Sequence, residues 1–181
     1  RPRVRRPPRR SAARGRLIDW WLLWRVPVLA LIVMAVWWFA VRPIAQEQGW
    51  VAVDETFTLC GSGGGSVEGC VVDGDTVILG FGAERRRIRF TGFDAPERDG
   101  ACPAERALAE RARERLRDWL GAGPFEWNGA DDPPYDRYGR ELRAARRVGP
   151  DGSRDHLAEA MIASGLASES GWGSEPQDWC E

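Results

Sequence analysis

The chain has 181 residues, enough for one domain of ordinary size and an appendage. Its net charge of −1 conceals an asymmetry, for residues 1–42 carry ten Arg against one acid and the rest sixteen Arg against twenty-six Asp and Glu, with no Lys anywhere. One histidine and four cysteines without a Cys-x-x-Cys argue against a zinc site and against chemistry built on histidine–metal pairs; the even cysteine count reads better as two disulfides.

Residues 1–16 hold eight arginines and no apolar pattern, so a basic disordered tail is expected. Residues 17–42 are mostly apolar. The clean stretch from Val26 to Val41 falls short of the roughly 20 residues a span wants, but Trp20 to Trp24 extend it. Trp20, Trp21 and Trp24 bracket one end and Trp37, Trp38 and Phe39 the other, as aromatic belts do at the two faces of a bilayer. The prediction is an uncleaved, single-pass signal anchor in the lipid bilayer. Its arginines would stay in the cytoplasm, so the rest of the chain would lie outside. A cleaved signal peptide and a buried core helix are the alternatives. Residues 43–54 read as a linker and 55–181 as the folded domain.

Within that domain, strands are predicted at Glu55–Cys60 and Gly69–Val72, on either side of a flexible Gly/Ser loop over 61–66. Two more, Asp75–Phe81 and Arg85–Thr91, are joined by a turn around Gly80 and Gly82. Pro103 to Leu120 reads as an amphipathic helix with Ala104, Ala107, Leu108, Ala112, Leu116, Trp119 and Leu120 on one stripe. Phe125–Trp127 and Glu141–Val148 follow as strands, then a helix capped by Ser153 and running to Ser164. This is an α+β pattern, mainly β, and it suits a five-stranded barrel of the OB type with two helices, beside the N-terminal transmembrane helix. His156 is expected to start the last helix with no chemical role.

Four segments concentrate charge on turns and strand ends. Asp73-Gly-Asp75-Thr76 puts two carboxylates two residues apart, so on an extended chain they point the same way. Gly74 would let the chain turn cheaply, and a plain hairpin turn is the structural alternative. Arg85, Arg87 and Arg89 share one strand face; for Arg85 and Arg87 simple solvation suffices. Asp94-Ala-Pro-Glu97 looks like a capping box, yet the helix begins later, at Pro103, and Pro96 makes Ala95 extended. Asp136-Arg-Tyr-Gly-Arg140 adds two arginines on a turn. Carboxylates suit a hard divalent cation, and guanidinium forks suit phosphate oxygens.

In order and spacing these four segments, with Met161 to Ala167, resemble the staphylococcal nuclease (thermonuclease) family from about Cys70 to Ala167. The resemblance implies a calcium-dependent nuclease that hydrolyses DNA and RNA with little sequence selectivity, cutting P–O5′ bonds and leaving 3′-phosphates. It implies calcium ligation by Asp75, Asp94 and the Ala95 carbonyl, with Asp73 in support. Glu97 would act on the attacking water, and Arg89 and Arg140 on the phosphate. Arg137 would be a replaceable phosphate contact; Tyr138 would either pack on a nucleotide or fill its turn. The family's base-stacking aromatic has no clear counterpart, Trp172 being out of step, and neither has its long C-terminal helix. An acidic domain is unusual for a nucleic-acid enzyme. The rival reading is a non-catalytic OB-fold module that binds nucleic acid at the membrane; a structural envelope protein is weaker still. Cys60 and Cys70 flank a loop that folds back easily, and Cys102 with Cys180 would pin the tail to the loop before the first helix. No protein partner is evident, and a monomer is expected.

Overall fold

The computed structural model describes residues 13–42, 49–61, 68–171, 173–175 and 177–180. It divides into two units, Arg1–Gln48 and Gly49–Glu181. The basic tail lies outside the described residues up to residue 12, and 13–16 belong to a helix, so that tail ends sooner than expected. Most of the Gly/Ser loop and Trp172 also fall outside.

Among its described residues the first unit is one helix. α1 spans Ala13–Val36, about 36 Å at ~1.5 Å per residue, and runs on as a π-helical turn, Trp37–Val41. Its segment Trp24–Val41 has a mean hydropathy of 1.9 and is long and apolar enough to cross a membrane. Apolar side chains are exposed along this segment, among them Trp24, Leu29, Ile32, Trp38 and Phe39. The Arg42 guanidinium lies 4.4 Å over the Trp38 ring, at the end where an interfacial anchor belongs.

The second unit is α+β. Its strands are β1 (Val51–Val53), β2 (Phe57–Leu59), β3 (Gly69–Asp73), β4 (Thr76–Leu79), β5 (Arg86–Phe90), β6 (Phe93–Asp94), β7 (Phe125–Trp127), β8 (Glu141–Arg143), β9 (Ala145–Val148), β10 (Arg154–His156) and β11 (Ser168–Glu169). α2 is Pro103–Gly121 and α3 is Leu157–Ala163. Among the described residues these strands are shared by three sheets, ordered β1-β7-β9-β10, β2-β3-β4-β5-β8 and β6-β11, and no ladder closes them into one barrel. The expected linker over 43–54 is shorter, because β1 pairs with β7 and belongs to the domain.

Two local expectations are corrected. The strand predicted over Glu141–Val148 changes sheets at Ala144. Before it, β8 runs parallel to β5; after it, β9 runs antiparallel to β7. Asn128 makes the break possible, its Oδ1 accepting from the Ala144 amide at 2.6 Å and its own amide donating to the Ala144 carbonyl at 3.0 Å. Ser153 does not cap a helix: its amide and hydroxyl both donate to Asp151 Oδ1, and Arg154–His156 pairs with β9 instead. The helix cap is His156, which makes no capping hydrogen bond and meets Trp50 edge-on at 6.5 Å.

Val71, Val77, Ile88, Phe90, Phe93, Leu116, Leu157 and Met161 form the centre of the core. Trp119, Phe125 and Trp127 extend it by edge-on ring contacts at 5.7 and 6.1 Å. α2 buries Ala109, Ala112, Leu116, Trp119 and Leu120, whereas Ala104 and Ala107 stay exposed because its first turns stand clear of the core. Cys102 caps α2, its sulfur accepting from the Glu105 amide at 3.4 Å. Disulfides join Cys60 to Cys70 and Cys102 to Cys180, leaving no free thiol.

Several arginines are internal fasteners. Arg113 is buried on α2 and donates to the Val71 carbonyl at 3.2 Å and to the Cys60 carbonyl, bracing the first disulfide. Arg143 is buried beside Glu141 at 2.8 Å and donates to the Asn128 and Ala130 carbonyls at 2.8 and 3.1 Å. A five-donor planar fork satisfies irregular carbonyls in a way an ammonium cannot.

Candidate functional site

β3 and β4 are joined by a tight turn in which Asp73 faces Thr76 and Gly74-Asp75 form the tip. The plain hairpin alternative therefore describes the backbone, and the two carboxylates do not simply share a face. Gly74 does not have a left-handed backbone. A Cβ there would stand 2.7 Å from the Cβ atoms of both Ala112 and Ala95. The glycine is a matter of space: it lets α2 and the Asp94–Glu97 segment close on the turn.

Asp75 is buried, and Thr76 donates to its Oδ1 at 2.7 Å. Arg89, projecting from β5 opposite Thr76, donates one nitrogen to Asp75 Oδ2 at 2.7 Å and the other to Asp94 Oδ1. Burial pushes the Asp75 carboxyl up; the Arg89 charge and the Thr76 hydroxyl work against it. Asp94 ends β6, which pairs with β11, and the next two residues, Ala95 and Pro96, are buried. One guanidinium thus holds together the two carboxylates expected to ligate a cation.

Glu97 stands at the rim of an open hollow of about 500 Å³, lined by Arg87, Arg89, Glu97, Tyr138 and Arg140. Its carboxyl is raised, first by burial and then by the charges of Asp75 and Asp73, with Arg89 opposing. Asp73 is raised by burial too, against Arg98 and Arg113, and its Oδ1 is buried without a hydrogen-bond partner. Every candidate ligand atom is oxygen, and Asp73 Oδ1 is left without a hydrogen-bond partner. Oxygen donors are the kind a hard divalent cation takes, although Asp75 and Asp94 are held here by Arg89. Among the described residues the one tight group of three potential ligands is Cys102, Glu105 and Cys180, and its sulfurs are tied in a disulfide.

Arg140 is placed by Asp136. Asp136 accepts from the Arg140 amide at 2.9 Å, the Tyr138 amide at 2.8 Å and Arg140 Nε at 2.7 Å. Desolvation would raise the Asp136 carboxyl, but these hydrogen bonds outweigh it and hold it at about 2. The terminal nitrogens of Arg140 remain for an anion. Tyr138 is exposed; its hydroxyl accepts from Arg137 at 2.6 Å and its ring lies 4.7 and 5.4 Å from the Arg137 and Arg140 guanidiniums. Arg137 lies over that ring and does not line the hollow.

The structure therefore brings together Asp75, Arg89, Asp94, Glu97, Tyr138 and Arg140, with Asp73 and Ala95 flanking and Arg137 outside. Sequence reasoning missed Arg87, dismissed as a solvated strand residue, although its position two residues from Arg89 was the available signal. No protein-family model matches this chain, and no curated protein matches it.

Proposed function

We propose that the chain is a membrane-anchored, calcium-dependent nuclease of the staphylococcal nuclease type, with its OB-type domain outside the cytoplasm. One observation carries the reading: a carboxylate with a raised pKa, three arginines, two from β5 and one from the turn before β8, and a tyrosine line one hollow, directly beside the Asp75–Arg89–Asp94 ion pairs. Asp75, Asp94 and the Ala95 carbonyl would hold calcium, which supplies positive charge against the phosphoryl oxygens when bound.

Glu97 takes a proton from water as the water oxygen bonds to phosphorus, an effect worth typically 10²–10⁴-fold. The P–O5′ bond breaks in line, the 5′ oxygen takes up a proton from solvent, and a 3′-phosphate remains. Arg89 spends two of its five N–H donors on Asp75 and Asp94, so others are left for a phosphoryl oxygen. Arg140 spends Nε on Asp136 and presents its terminal nitrogens. Both donate where charge grows in the transition state. The apolar segment Trp24–Val41 supports the membrane anchor, and the eight arginines of residues 1–16, against one beyond its far end at Arg42, support a cytoplasmic N-terminus.

The 181-residue chain in detergent should cleave single-stranded DNA, duplex DNA or RNA with calcium and not with EGTA. Oligonucleotide binding without cleavage under both conditions would favour the non-catalytic module. A C-terminal reporter that works only outside the cytoplasm should be active; activity of a cytoplasmic-type reporter at that position would refute the orientation.

A further inference from the structure

Arg87 stands apart from the other two arginines of the hollow. Arg89 is committed to Asp75 and Asp94, and Arg140 to Asp136. Arg87 lines the same hollow, is exposed, and has no ion-pair partner among the described residues. In a domain with sixteen arginines and twenty-six acids beyond residue 42, many of the cations already paired internally, this is an uncompensated charge facing the cleft. Its position is also fixed. Cross-strand pairing sets Arg87 against Ile78 and Arg89 against Thr76, so Arg87 lies one pleat farther from the acidic turn on the same strand face. The parallel β5–β8 ladder pairs Ile88 with Glu141 and so carries Arg140 alongside Arg87.

We propose that Arg87 is a binding residue for a second phosphate, the one next to the reacting phosphodiester, so that the site takes a polynucleotide with successive phosphates and binds a lone phosphodiester less well. This rests on the nuclease reading. Alternate residues of a strand are about 6.6 Å apart, a separation comparable with that of successive phosphates along an extended single strand. A phosphate held by Arg89 and Arg140 near Glu97 therefore leaves its neighbour within reach of the Arg87 fork. Arg87 would not take part in bond making. It would set chain-length preference and supply the local attraction that the acidic surface withholds.

The test uses the 181-residue chain in detergent and a single-stranded oligothymidylate. Binding is measured in EDTA across a salt series and cleavage in calcium, for wild type, Arg87→Gln and the control Arg85→Gln. Loss of one phosphate contact should lower the slope of log K against log salt by about 0.7. Arg87→Gln should show that drop and a KM raised about tenfold or more, the worth of a charge-assisted hydrogen bond, with kcat nearly unchanged. Arg85→Gln should match wild type. An unchanged slope and KM in Arg87→Gln, while wild type cleaves, overturns the second-phosphate site and leaves the nuclease reading standing. A reduced slope in a chain that cleaves nothing supports the phosphate site and refutes the nuclease. Equal effects in Arg85→Gln and Arg87→Gln would reduce both to a diffuse basic patch and overturn the assignment.

Discussion

Replacing Gly74 by Ala should destabilise the domain although alanine suits the local backbone. With no left-handed angle to strain it, the added methyl would ordinarily stabilise by about 0.4–1 kcal/mol through the unfolded state. Here the new carbon would sit 2.7 Å from two others, the Cβ atoms of Ala112 and Ala95. Carbon pairs rest at roughly 3.5–4.0 Å, so each neighbour must withdraw by about 1 Å. Both are backbone-borne methyls of buried residues, and neither can rotate away. Overpacking of this kind costs typically about 1–3 kcal/mol, which leaves a net loss of about 1–2 kcal/mol. Urea unfolding of Gly49–Glu181, a compact unit by itself, should show a lower midpoint at constant slope. Ala112→Gly in the same chain should recover part of the loss despite its own helix penalty, a coupling that a double-mutant cycle measures. Because Ala95 adjoins Asp94, Gly74→Ala should also weaken binding at the calcium site proposed above. A Gly74→Ala protein as stable as wild type would refute the steric account of the turn.

Arg140→Lys should be nearly as harmful to turnover as Arg140→Ala, about 10²–10³-fold, because one ammonium cannot both hold Asp136 and fork onto a phosphate; kcat near wild type in Arg140→Lys would refute this. The Asp136 carboxyl sits at about 2 when folded against the ordinary 3.8, so its stabilising contribution is complete above the ordinary value and is lost as pH falls through about 2. The stability difference between wild type and Asp136→Asn should therefore be constant at neutral pH and shrink in acid; a gap that widens in acid would contradict the assignment. Replacing Cys102 and Cys180 by Ser opens a loop of sequence separation 78, against 10 for Cys60 and Cys70, and loop closure predicts losses of about 4.5 against about 2.7 kcal/mol. Ser preserves the helix cap at position 102, so the difference reports the cross-link, and unfolding midpoints in the reverse order would refute it.

What the sequence disclosed was largely local. Proline at the first turn and an amphipathic period located α2, and Cys60 and Cys70 flanked a loop short enough to close on itself. The charged segments also stood out, because carboxylates and arginines clustered on turns are conspicuous in one dimension. What it hid depends on distant partners. The run from Glu141 to Val148 has uninterrupted strand character, and only Asn128, thirteen residues before the run begins, explains why it breaks at Ala144. Gly74 looked like a conformational device because the methyls that crowd it come from a helix and a loop elsewhere in the chain. Arg87 resembled Arg85 until β8 came to lie along β5 and carried Arg140 to its side. Burial on α2 depends on what packs against it, so Ala109 is buried while Ala104 and Ala107 are not.

The pairing of β6 with β11 sets an order in time. Asp94 lies in a two-residue strand whose partner, Ser168, comes much later in the chain. Until that late segment arrives, the acid facing Arg89 hangs on an unpaired edge, while Asp75, Thr76 and Arg89 can already assemble within the β4–β5 ladder. A chain emerging amino end first would fix its buried aspartate early and its second carboxylate late. A nascent or clipped molecule ending before residue 168 would keep most of its core yet lack the strand that completes the site.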